Sequence, residues 1–165
     1  MRKNLFAVVM MIGIMLFSGC STKVYTTSPM PQPAEKGVKK KVALFSLHNY
    51  TDTPDAGKRA ANIVEGVLLA KGYEVASHIS EGEVSQSKAI AEAASEGDDY
   101  VLLGGVSEWR YKTGIDGEPA VSLHMKLIDP KTGKVVWSAT ASGNDWGNAS
   151  IGTTAQQMIE EMVAK

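Results

Sequence analysis

The single cysteine of this 165-residue chain strongly constrains how the chain is processed, because Cys20 comes directly after a short apolar leader. Two basic residues are followed by an apolar run over residues 5–17 and then by Ser18-Gly19. This order is typical of a secretory signal, and the run is shorter than the roughly 20 residues of a spanning helix. The pattern predicts a signal peptide over residues 1–19 and lipid on Cys20. A plain signal peptide with an incidental cysteine and an uncleaved anchor are the alternatives.

The part of the chain after the leader must be held together by its hydrophobic core. With no second cysteine it has no internal disulfide, and removing 19 of 165 residues leaves 146, enough for one domain. Residues 20–40 hold the cysteine, three prolines and several Ser and Thr, which predicts an extended tether. A single domain is expected over residues 41–165. Ser21 stands where inner-membrane lipoproteins often have aspartate, so the periplasmic side of the outer membrane is the expected location.

Hydrophobic periodicity predicts the element order β-α-β-α-β-β-β-α. Strands are expected over residues 42–47, 73–77, 100–111, 120–129 and 135–142, and helices over residues 56–71, 85–96 and 151–164. Two helical crossovers imply parallel pairing, and two hairpins add an antiparallel edge. The predicted fold class is α/β, a mixed β-sheet with packed helices. Asp55 is expected to cap the first helix and Gly72 to end it, and the pair Gly104-Gly105 predicts a bulge or a close backbone contact.

Charge and motif content argue against several classes of function. The leader holds two of the 17 basic residues and none of the 18 acidic ones, so the mature chain has 15 against 18, a net charge of −3. Nucleic-acid binding requires a basic face and is not expected. His48, His78 and His124 lie far apart with no second ligand at close spacing, so no metal site is predicted. Because no nucleophile elbow or phosphate loop is present, neither an enzyme activity nor a cofactor is expected.

Aromatic residues mark the surfaces that could contact a membrane or another subunit. Trp109 and Tyr111 share one face of a strand at i and i+2, whereas Trp137 follows two valines and is expected in the core. Trp146 stands in a polar, glycine-rich loop. It either folds back onto a helix end or serves as an interface anchor, because indole is apolar on its face and polar at its N–H. The candidates for a membrane or subunit interface are therefore Trp146, Trp109 and Tyr111.

Three segments of the second half resemble the PelC family of outer-membrane lipoproteins. They are residues 101–112 (VLLGGVSEWRYK), 118–121 (EPAV) and 126–138 (KLIDPKTGKVVWS). Residues 143–146 fit as well, and the resemblance covers about residues 40–165. The spacing of Asp129, Gly133 and Trp137 is shared with lipoproteins such as CsgG and LpoB and with the N-terminal domain of TolB. The implied fold is therefore similar to the TolB N-terminal domain.

The PelC resemblance implies a ring of about twelve subunits that serves a Pel-type exopolysaccharide export channel in the outer membrane. An aromatic belt, with Trp146 as its candidate, would contact the bilayer beside the acyl chains. An acidic opening would guide a cationic polysaccharide, and −3 per chain becomes about −36 over twelve copies. The acidic residues implied are Asp52, Asp55, Asp116 and Glu118.

Two other functions stay open from the sequence. One is an LpoB-like activator that reaches through peptidoglycan to a synthase, for which a tether longer than about twenty residues is favoured. The other is a CsgG-like secretion lipoprotein or an envelope scaffold of unassigned ligand. Neighbouring genes for a glycosyltransferase and a large tetratricopeptide outer-membrane protein would select the export function.

Overall fold

The computed structural model describes residues 21–33, 39–113, 117–145 and 149–164. Across them the chain forms seven strands and three α-helices around one mixed sheet. The strands are β1 Ser21–Thr26, β2 Lys41–Phe45, β3 His48–Asn49, β4 Glu74–His78, β5 Tyr100–Tyr111, β6 Pro119–Ile128 and β7 Val135–Asn144. The helices are α1 Ala56–Ala70, α2 Gln86–Glu96 and α3 Ile151–Ala164, with a 3₁₀ turn at Ile79–Glu81. The α/β fold class is confirmed, and β1 and the short β3 are additions to the predicted order.

The sheet combines a parallel part and an antiparallel part. Its strand order is β1-β7-β6-β5-β2-β4, and β3 pairs with β5 beyond the end of β2. Pairing is parallel between β2 and β4, β2 and β5, and β3 and β5, and antiparallel among β5, β6, β7 and β1. The helical crossovers therefore produce the parallel β2–β4 and β2–β5 pairs, and the two hairpins produce the antiparallel β5–β6 and β6–β7 pairs, as predicted.

Helices cover the two faces of the sheet unequally. α1 and α3 pack together on one face through the predicted apolar stripes, for example Val64 and Leu68 of α1 with Met158 and Ile159 of α3. α2 lies on the other face, over a smaller core that includes Phe45. Burial of each large apolar side chain contributes about 1.5–3 kcal/mol, so the α1–α3 face supplies most of the stability. Among the described residues, no helix is long and apolar enough to cross a membrane.

The segment predicted as a tether is bound to the domain over residues 21–33. β1 pairs antiparallel with β7 over six residue pairs, from Ser21 opposite Asn144 to Thr26 opposite Ala139. Met30 is 1% exposed within the larger core, and the Tyr73 hydroxyl donates to the Pro31 carbonyl at 2.6 Å. The prediction of an extended tether is therefore wrong for this segment. The physical reason is that β7 would otherwise be an edge strand with unpaired backbone groups, and β1 satisfies them.

Close backbone packing explains the glycine pair in β5. A Cβ on Gly104 would lie 2.1 Å from the carbonyl oxygen of His124 on β6, so the predicted close contact is confirmed. A bulge also occurs, two residues later, where the β5–β6 register shifts between Val106 and Glu108. Asp55 does precede α1, but with a left-handed φ of 57° and no side-chain hydrogen bond to the helix. Asp55 is thus the N-cap residue of α1, as predicted, although its side chain makes no capping bond.

Candidate functional site

Half of one sheet face is open to solvent. Beyond the strands covered by α2, eight side chains on the outward face of β6, β7 and β1 are polar or aromatic and at least partly exposed. They form what we call the open sheet face: Lys23, Tyr25, Ser122, His124, Lys126, Ser138, Thr140 and Ser142. Because strands alternate their side chains, the intervening residues Leu123, Met125 and Ala141 fill the larger core.

A cleft borders this open face at the β5 bulge. Its volume is about 560 Å³, and we call it the bulge cleft. It is lined by residues 50–53 of the β3–α1 loop, by residues 107–110 of β5 and by Ser122. The extra residue of the bulge, Ser107, points its hydroxyl toward the Ser122 hydroxyl at 3.1 Å. Arg110 Nη2 contacts Glu108 Oε1 at 2.8 Å, so one carboxylate of the cleft is paired. The cleft thus presents hydroxyls, carboxylates and one guanidinium.

The β3–α1 loop that forms one wall is held by a dense set of hydrogen bonds. The Asn49 side-chain amide donates to the Thr53 carbonyl at 2.8 Å, and its oxygen accepts from the Thr51 N–H at 3.0 Å. The Thr53 hydroxyl donates to the Trp109 carbonyl at 2.6 Å and ties the loop to β5. The Asn49 N–H donates to Glu83, and this bond lowers the pKa of the Glu83 carboxyl. The wall is therefore preorganised and positions the side chains between these anchors.

Tyr50 and His124 lie against β5 beside the bulge cleft. A Cβ on Gly105 would lie 2.6 Å from Tyr50 Cε2 and 2.8 Å from His124 Cε1, so a larger residue at this position would displace the two rings. Tyr50 is nevertheless 67% exposed and presents the rest of its ring to solvent. Burial lowers the pKa of His124 below its usual 6.5, with Lys126 and His48 adding to the effect. His124 is therefore uncharged near neutral pH.

The four acidic residues implied by the resemblance do not form one cluster in the described chain. Asp52 is exposed and lines the bulge cleft, whereas Asp55 lines a separate depression of about 110 Å³. Glu118 is half-buried and accepts from Lys112 Nζ at 3.4 Å and from Asn144 Nδ2 at 3.3 Å, so its charge is compensated. Asp116 lies outside the described residues. Asp52 is the one among them that lines the bulge cleft.

The aromatic candidates differ in exposure. Trp109 is 4% exposed and packs in the larger core, which corrects its assignment to a membrane or subunit interface. Tyr111 lies two residues further along β5, past the end of the core, and is 50% exposed. Trp137 is fully buried, as expected, and Trp146 lies outside the described residues. Sequence reasoning missed Tyr25, which is 67% exposed; its signal was the alternation of residues 22–26 within the predicted tether.

A histidine–carboxylate cluster lies at the opposite end of the sheet from β1. His78, Glu92 and Glu96 bring one potential ligand atom each to within 4.8 Å of one another. The expectation that no histidine has a ligand nearby overlooked Glu81, three residues after His78, whose carboxylate contacts His78 Nδ1 at 3.0 Å. The residues on α2 could not be assigned from the sequence, because the tertiary fold brings them to β4.

Comparisons with known proteins define the class of fold first. A family model described as peptidoglycan-synthase activator LpoB matches residues 71–142. The solved structure of lipoprotein GNA1162 from Neisseria meningitidis is 18% identical, with a TM-score of 0.58 over 75% of this chain and 95% of that chain. A search of curated proteins finds no match. The domain thus has the mixed α/β fold found in bacterial lipoproteins.

Two further structures identify the family. A PelC dodecamer from Paraburkholderia phytofirmans is 39% identical, with a TM-score of 0.75 over 87% of this chain and 96% of that chain. A second crystal form, of a single-substitution variant, gives 39% identity and a TM-score of 0.73 over 86% and 96% of the two chains. This chain belongs to the PelC family.

Proposed function

We propose that this chain is an outer-membrane lipoprotein that assembles into a ring in a Pel-type exopolysaccharide export apparatus. The observation that carries the proposal is the 39% identity, over 87% of the chain, to a PelC that is a dodecamer. On this proposal the ring lies on the periplasmic side of the membrane and guides a cationic polymer toward an export channel. We assign no catalytic step to the chain.

The chemistry of the bulge cleft supports contact with a polysaccharide in transit. Carboxylates such as Asp52 accept hydrogen bonds from ammonium groups, and the hydroxyls of Ser107 and Thr51 can exchange hydrogen bonds with sugar hydroxyls. A cleft this open binds weakly, and a polymer that must move on requires weak contacts. Asp52, Asp55, Asp116 and Glu118 stay our proposed guiding residues, and a ring would repeat their charges in every subunit.

Self-association is the first expected outcome of this proposal. Light scattering of the detergent-extracted protein should give a mass about twelve times that of one chain, the stoichiometry of the PelC relatives. The mass should hold over a tenfold dilution if the ring closes. A strictly monomeric protein at every concentration would remove the ring from the proposal and favour the activator or scaffold functions.

Lipidation of Cys20 is the second expected outcome. Cys20→Ser should leave an unprocessed precursor or a protein released from the membrane, because the thiol that takes the lipid is gone. Mass spectrometry of the N-terminal peptide and membrane fractionation measure this. Ser18→Ala, which keeps a small residue before the cysteine, is the matched control and should be processed normally. A free N-terminal amine on Cys20, or an intact Met1, contradicts the prediction.

An LpoB-like activator is the second candidate function, favoured by the family-model match over residues 71–142. Such an activator must reach a distant synthase, whereas β1 begins at Ser21 and is already paired with β7. Little chain is then left between Cys20 and the sheet to act as a spacer, which supports the export function over this one. Stimulation of a purified peptidoglycan synthase by the protein would reverse that ranking.

A further inference from the structure

The ring of His78 is held in one orientation at the edge of the sheet. It stacks on Phe45, with ring centroids 4.7 Å apart and an interplanar angle of 13°, and Phe45 is completely buried. The side chain of His78 is 12% exposed. Three carboxylates of Glu81, Glu92 and Glu96 lie around it, at 3.0, 3.6 and 3.6 Å from its ring nitrogens. The imidazole is thus fixed by packing at the centre of an acidic group.

The contact with Glu81 determines which ring nitrogen is free. Glu81 Oε1 lies 3.0 Å from His78 Nδ1, so the neutral imidazole carries its proton on Nδ1 and donates it to this carboxylate. Nε2 then keeps a lone pair. Within the part of the chain that the structure describes, Nε2 is buried and has no hydrogen-bond partner, and the same is true of Glu92 Oε2. Buried polar atoms without partners require an explanation, and a bound cation supplies one.

The surrounding charges are incompletely balanced. Lys88 Nζ lies 3.4 Å from Glu81 and compensates that carboxylate. Glu92 and Glu96 stand one helical turn apart on α2, where like charges repel. Their ion-pair contacts in the described chain are to His78, and the nearby Lys41 is bound to Asp98 at 2.9 Å. A neutral His78 leaves two partly buried negative charges, which a divalent cation would offset.

We propose that His78 Nε2, Glu92 and Glu96 bind a divalent transition-metal ion of the zinc class. Nitrogen and carboxylate ligands at about 2.0–2.2 Å suit zinc, whereas calcium and magnesium take oxygen ligands. One ligand atom from each of the three residues lies within 4.8 Å of the other two. Glu96 Oε2 lies 3.6 Å from Nε2, whereas Glu92 Oε1 is 3.6 Å from Nδ1, so the Glu92 side chain must rotate to share an ion with Nε2. Glu81 orients the imidazole from behind, as carboxylates do in many zinc sites. A fourth position stays open to water.

The ion would join β4 to α2. β4 is the edge strand of the parallel part and pairs with β2 alone among the described strands. α2 packs on the smaller of the two cores. A metal bridge between these elements would therefore stabilise the less well packed side of the domain, and its effect should appear in thermal unfolding.

The test uses the untagged full-length protein in mild detergent, treated with a chelator and then titrated with zinc chloride. Calorimetry should show one zinc ion per chain with a dissociation constant below about 10 µM. Saturating zinc should raise the Tm by about 5 °C or more. Equal concentrations of calcium or magnesium should leave the Tm unchanged. No stoichiometric binding of zinc, or an equal shift with calcium, overturns the proposal.

Matched variants separate this site from zinc held elsewhere. Glu96→Gln keeps the shape of a side chain that is 40% exposed, so the domain should fold while zinc affinity falls at least about tenfold. Glu83→Gln is the control, because it removes the charge from a different histidine–carboxylate pair, His48–Glu83 at 2.9 Å, and leaves the cluster untouched. It should bind zinc like the natural protein. Unchanged affinity in Glu96→Gln, or equal loss in both variants, overturns the assignment. Circular dichroism confirms that each variant is folded.

Discussion

Gly57→Ala is expected to lower the free energy of unfolding by more than about 3 kcal/mol, the upper range for overpacked sites. Gly57 lies in the first turn of α1, against the end of β2. A Cβ there would lie 1.8 Å from the Leu47 carbonyl oxygen and 2.9 Å from the carbonyl carbon. The obstacle is backbone, which cannot rotate away as a side chain can, so α1 must move off the sheet. Urea unfolding followed by circular dichroism measures the loss.

Gly66→Ala in the same helix is the matched control. A Cβ at Gly66 meets nothing within 4 Å. Alanine should therefore stabilise the helix by about 0.5–1 kcal/mol, because glycine loses more backbone entropy on folding. The two substitutions add the same methyl group to one helix and should shift the unfolding midpoint in opposite directions. If both shift it equally, the close contact with Leu47 is absent in solution.

Trp109→Ala is expected to cost about 3–5 kcal/mol of stability, the range for truncating a large buried aromatic side chain. The indole is 4% exposed and packs in the core beneath β5 and β6, opposite Val121. The Thr53 hydroxyl is bound to the backbone carbonyl of residue 109, which alanine keeps, so the loss comes from the missing indole. Thermal unfolding should show a markedly lower Tm, and an unchanged Tm would contradict the burial of this side chain.

Tyr111→Ala tests the other half of the aromatic pair. Its side chain is 50% exposed past the end of the core, so the free energy of unfolding should change by less than about 1 kcal/mol. If Tyr111 contacts a neighbouring subunit, light scattering should show that the variant ring dissociates at a higher protein concentration than the unsubstituted ring. The effect is large because a ring repeats the lost contact in every subunit. Folded, fully assembled Tyr111→Ala protein would exclude this residue from the interface.

The regular elements could be predicted because their apolar periodicity follows from the faces they bury. α3 shows this well: its buried residues Ala155, Met158, Ile159 and Met162 recur at helical spacing. β1 escaped prediction because its hydroxyl residues, together with the prolines that follow it, resemble a linker. What orders it is a backbone pairing with β7, and backbone hydrogen bonds leave no composition signal.

The sites could be predicted only in part, because they depend on how deeply each side chain is buried and on contacts between residues that are distant in the sequence. The spacing of Trp109 and Tyr111 predicts that they share a face of β5. It does not predict where the core ends along the strand, which is between the buried indole and the exposed phenol. Likewise, His78 and Glu96 come from a strand and a helix joined by a turn, and sequence spacing does not determine their distance. Asp52 at the bulge cleft was indicated through the PelC resemblance.

The pairing of β1 with β7 also bears on the thermodynamics of assembly. A lipid on Cys20 would be attached one residue before a strand of the sheet, since Ser21 is already opposite Asn144. Subunits would then meet in one plane and with similar tilt, whereas proteins in solution must lose translational and rotational freedom at every encounter. The membrane would remove much of that entropy before any contact forms. We therefore expect rings to assemble at surface densities at which domains held on flexible spacers would remain unassembled.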